Sequence, residues 1–69
     1  MNAAQLNSLE SGAPITWKHP RTGEPHKCVF SDVRFGRVRF WFEGDTQTED
    51  DLCALSMKEA RTQLEAFGA

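Results

Sequence analysis

Residues Val29 to Phe42 read V-F-S-D-V-R-F-G-R-V-R-F-W-F, and nothing else in the chain restricts the fold so tightly. Valine and aromatic residues alternate with polar ones on both sides of a single glycine, Gly36. That pattern marks two antiparallel strands joined by a tight turn. Two registers fit it. If Phe35 and Gly36 alone form the loop, Val33 faces Val38 and Asp32 faces Arg39, but phenylalanine must then adopt a positive φ, which suits it poorly. If Arg34-Phe35 forms a type I turn with Gly36 as a left-handed bulge, Phe30 faces Phe40 and Cys28 faces Phe42. The second register is preferred, because it gives the left-handed angle to glycine. Either way, Val38, Phe40 and Phe42 share a core face, while Arg37, Arg39 and Trp41 share the opposite one.

The flanking segments fill out an α+β plan. Asn2 can cap a short helix running to about Ser11, with Leu6 and Leu9 on one face; Gly12 suits the position after its end and Pro14 blocks continuation. This weakly apolar N-terminal helix, within residues 1–12, is expected to fray or to dock on a partner. Ile15 to Lys18 alternates as a half-buried strand does, residues 20–25 form a loop, and His26 to Val33 is the next strand. After the return strand, Glu43-Gly44-Asp45 is a turn, Thr46 to Glu49 a short strand, and Leu52 to Leu55 either a closing strand or one helical turn. Ser56 and Glu59 read as a capping box. The helix they open carries a stripe of Met57, Ala60, Leu64 and Phe67 and is stopped by Gly68.

Sixty-nine residues make one domain at most, 1–69. The predicted fold is a small antiparallel β-meander curled into an SH3-like open barrel, flanked by a short N-terminal and a C-terminal helix. The alternative is a flat α+β sheet with both helices on one side. A domain this small is marginal unless a crosslink, a metal or a second subunit assists, so homo-oligomerisation is one expected source of stability.

Charge is unevenly distributed. Residues 18–42 carry six basic side chains against Glu24 and Asp32, whereas residues 43–69 carry seven acidic ones against Lys58 and Arg61. No apolar run approaches the length of a membrane span, and no basic, apolar leader is visible. A cytoplasmic setting without membrane partners is therefore expected, with Cys28 and Cys53 as thiols.

Chemistry-bearing patterns are sparse. His19, His26, Cys28 and Cys53 offer zinc-compatible atoms, but without the close pairings that closed sites use. Cys28 with a histidine and Asp32 can be drawn as a nucleophile group, yet only Lys27 would favour the thiolate. The expectation is no metal, no cofactor and no enzymatic activity.

What remains is binding. Arginine and tryptophan are the residues that dominate interface hot spots, and they meet on the outward hairpin face. The candidate site is Arg34 and Phe35 at the tip with Arg37, Arg39 and Trp41 behind them. The expected function is a small binding module acting by protein–protein interaction, with an inhibitor or adaptor of a nucleic-acid-processing protein as one form of it. The alternative is single-stranded nucleic-acid binding, with arginines on phosphate and Trp41 or Phe35 stacking a base. A sequence pI near 5.5 weighs against that alternative. The bland reading is that Arg37 and Arg39 pair with Asp32 or Glu43 and that Trp41 covers a sheet edge.

Overall fold

The computed structural model describes residues 1–67. The elements are α1 (Ala3–Ser8), β1 (Pro14–Lys18), β2 (Pro25–Arg34), β3 (Arg37–Phe42), a 3-10 turn (Glu49–Asp51), β4 (Cys53–Ser56), α2 (Met57–Gln63) and β5 (Leu64–Ala66). The five strands form one antiparallel sheet in the order β4-β3-β2-β1-β5. The sheet is not closed: β4 and β5 are its two edges. No described helix is long and apolar enough to cross a membrane.

Period-two alternation builds the core. Ile15 from β1, Cys28 and Phe30 from β2, Val38 and Phe40 from β3 and Leu64 from β5 point inward and are buried. Leu6 of α1 and Ala60 of α2 join the same cluster, so both helices cover the same face of the sheet. The first helix is shorter than expected, ending at Ser8, but it is well anchored. Asn2 and Gln5 form a reciprocal capping box, and Leu6 is fully buried.

The central hairpin combines both registers considered above. Near the tip, Arg34 faces Arg37, Val33 faces Val38 and Asp32 faces Arg39; farther back, Phe30 faces Phe40 and Cys28 faces Phe42. Ser31 is the extra residue between the two halves, a β-bulge. The preferred turn is therefore corrected. Phe35 and Gly36 both have positive φ, 52° and 72°, which is a two-residue type I′ loop. The physical reason lies in Asp32. A bulge at Gly36 would leave strict alternation from Phe30 to Asp32 and turn the carboxylate toward the core. Burying an unpaired carboxylate costs several kcal/mol, whereas a left-handed non-glycine residue costs about 1–2 kcal/mol. The bulge at Ser31 re-phases the strand, so Val33 turns inward and Asp32 outward.

Two other assignments change. Thr46 to Glu49 is not a strand: the chain bends there and makes the 3-10 turn, because Thr48 and Glu49 are engaged by side chains of β3 rather than by a ladder. Leu52 to Leu55 resolves as the edge strand β4. The last helix is capped by Ser56 as expected, its Oγ accepting from the Glu59 amide, but the capping box is only half made. Glu59 Oε1 accepts from the Ser56 hydroxyl instead of the Ser56 amide, and the helix stops at Gln63 instead of reaching Phe67. Leu64 turns extended and pairs with Trp17, supplying a neighbour for the free side of β1. Its side chain is fully buried, and position 64 satisfies both the helical spacing from Ala60 and the strand pairing, so periodicity alone does not separate the two. Gly68, the expected stop, lies outside the described residues.

Candidate functional site

The hairpin separates the five candidate residues into two groups. Arg39 and Trp41 are fastened to the molecule. The Arg39 guanidinium makes a two-pronged ion pair with Asp32 across the strands, and its Nη1 lies 3.5 Å from Glu49 Oε2. Only 17 % of the Arg39 side chain remains exposed. Hydrogen bonds from Arg39 are the largest influence holding the Asp32 carboxyl below its ordinary range. Half-buried Trp41 donates its indole Nε1–H to the Thr48 carbonyl at 2.8 Å. Both side chains thus hold the acidic 43–52 loop onto the outward sheet face. Pairing of Arg39 with Asp32 was legible in the sequence; Thr48 and Glu49 as loop anchors were not, since nothing in the local pattern marks them.

The tip is different. Arg34 and Arg37 face each other directly across the hairpin, both exposed. Neither has a carboxylate within ion-pair distance among the described residues. Like charges in that position destabilise a hairpin. Between them Phe35 is 90 % exposed, with the Arg34 guanidinium 5.3 Å from its ring centroid. Phe35 therefore combines an unfavourable backbone angle, an unburied ring and unpaired cationic neighbours.

Several residues with metal- or nucleophile-compatible atoms are engaged elsewhere, while Cys53 on β4 is half-buried, its thiol raised chiefly by burial. His19 closes the β1–β2 turn, its Nδ1 accepting from the Arg21 amide at 3.1 Å. Burial pushes the Cys28 thiol up to about 11, the opposite of activation, and Asp32 belongs to Arg39. Among the described residues, no three His, Cys, Asp or Glu side chains gather as metal ligands would.

One cluster escaped the sequence reading. Trp17, His26 and Phe42 are each one step beyond a core residue on the same face, and their rings meet with centroids 5.4–6.0 Å apart. Period-two counting from Ile15, Cys28 and Phe40 would have revealed it. Trp17 also donates its Nε1–H to Gln63 Oε1 at 2.9 Å, tying the end of α2 to β1. These half-buried rings close one end of the core.

No family model matches the chain, and comparison with curated proteins and with solved structures finds no match.

Proposed function

We propose that this protein is a non-enzymatic binding module whose hairpin tip, Arg34 to Arg37, docks on a protein partner. The observation that carries this reading is Phe35, held 90 % exposed at a positive φ where asparagine or glycine would be the stable choice. Locally unfavourable features concentrate at functional positions, and here they coincide with two arginines that have no carboxylate within ion-pair distance among the described residues. Arg39 and Trp41 act behind the tip by fixing the loop beside it.

A protein is favoured over nucleic acid by the arrangement of charge. Through Arg39 and Trp41, the loop bearing Glu43, Asp45, Glu49, Asp50 and Asp51 is pinned beside the outward face. An extended polyanion running down that face would meet those carboxylates, whereas a protein can match cationic and anionic patches placed side by side. The same proposal includes a cytoplasmic setting, where both cysteines stay reduced. It also includes an SH3-like open-barrel reading of the sheet, supported by a four-strand meander whose chain returns after a helix to pair β5 with β1. An inhibitor or adaptor role fits a convex tip that enters a partner's cleft.

The test compares the wild-type chain with Phe35→Asn as bait in the cells that make it. Asparagine tolerates the loop geometry, so the variant should fold and lose its specific partner. Equal capture by both baits would refute the reading. Titration with a mixed single-stranded oligonucleotide at low and high salt separates the alternative, since nucleic-acid binding would weaken steeply with salt.

A further inference from the structure

We infer that the segment recognised by the hairpin tip is an acidic, apolar stretch of the partner protein: carboxylates placed to engage Arg34 and Arg37 on either side of an apolar side chain that covers Phe35. This inference rests on the tip being the docking surface, and it adds the chemistry of what docks.

Three observations carry it. First, Arg34 and Arg37 occupy directly opposed positions at the last rung of the hairpin. Facing Cα atoms on such a rung are about 5 Å apart, so a carboxylate approaching from outside can be shared by both guanidinium groups or matched by a second one. Second, the next outward-facing rung, two steps from the tip, holds an arginine that is satisfied within the molecule. Arg39 has both Asp32 and Glu49, while the two tip arginines have no carboxylate partner among the described residues. Arginine's planar fork suits carboxylates in particular. Third, the Phe35 ring is almost fully exposed, with the Arg34 guanidinium 5.3 Å from its centroid. An apolar side chain laid on that ring would exclude water from the ion pairs and strengthen them.

Other occupants fit less well. A second copy of this chain could offer its acidic loop, but that loop is already engaged, Glu49 by Arg39 and the Thr48 carbonyl by Trp41. An anionic membrane would gain one aromatic ring and two cations, which is little for stable anchoring, and the five loop carboxylates beside the face would be repelled from it.

A phage-displayed library of random peptides, selected against the full chain, tests the inference. Selected peptides should carry two or more Asp or Glu residues close to Leu, Phe, Met or Trp. Their affinity should fall more than about tenfold for the double variant Arg34→Gln/Arg37→Gln, and should fall similarly for Phe35→Asn, with circular dichroism confirming that both variants are folded. Loss with Phe35→Asn but none with the double arginine variant would leave the tip as the docking surface and overturn the acidic segment. Indifference to both variants, or no enrichment, would overturn both. Oligonucleotide and phosphatidylglycerol vesicles serve as competing probes; tighter binding of either than of every selected peptide would also overturn the inference.

Discussion

Phe35 carries a cost that a single side-chain replacement can reveal. A left-handed angle at a non-glycine residue is unfavourable by about 1–2 kcal/mol, and the ring recovers almost nothing by burial, being 90 % exposed. Phe35→Asn should therefore stabilise the protein by about 1 kcal/mol, raising the thermal midpoint by about 4–8 °C in a domain of this size. That gain should accompany the loss of partner binding. A lower midpoint would mean that the ring supports the hairpin. At this scale the exposed ring and its arginines were legible, because alternation places them. The angle at Phe35 was not, because it follows from the side of the sheet that Asp32 takes, which the bulge at Ser31 sets and the local pattern does not mark.

Between elements, β3 acts as a fastening strip. Its inward residues enter the core, and its outward ones, Arg39 and Trp41, hold the 43–52 loop. Arg39→Ala should free that loop without unfolding the sheet. Amide hydrogen exchange should quicken across residues 43–52 while β1 and β2 stay protected; uniform acceleration would instead show that the pair with Asp32 is needed by the whole hairpin. Strands β1 to β3 and the start of α2 could be read from alternation and capping chemistry. The end of α2 could not. Leu64 meets both the helical spacing from Ala60 and the pairing opposite Trp17, and only the exposed side of β1, a long-range property, decides between them.

For the whole molecule, stability should be bounded on both sides of the pH scale. Asp32 is held below its ordinary value of 3.8, chiefly by Arg39 hydrogen bonds. Its contribution is fully present above that value and is lost as pH falls through the depressed folded pKa. Cys28 is raised from 9.0 to about 11, chiefly by burial. Its contribution is intact below 9.0 and declines as pH rises toward about 11. Urea midpoints should thus be level near neutrality and fall at both extremes. Asp32→Asn should flatten the acid side and Cys28→Ala should reduce the alkaline loss, leaving the part due to Cys53, whose thiol burial also raises; each variant should have a lower plateau. The α+β class and antiparallel sheet were recoverable from local patterns. Strand order was less so, since β5 arises from residues whose spacing looks helical.

The bulge at Ser31 means that the hairpin has one surplus residue with two places to go. At present, a carboxylate's aversion to the interior sends it to position 31 and leaves the left-handed angle on Phe35. Asp32→Val removes that aversion. The surplus residue should then migrate to Gly36, pairing Val33 with Arg37 and taking Arg34 out of its place opposite Arg37. Cross-strand nuclear Overhauser contacts would register the move, and persistence of the Val33–Val38 contact would rule it out. A single acidic group set back from the tip thereby dictates which arginines stand side by side at its end.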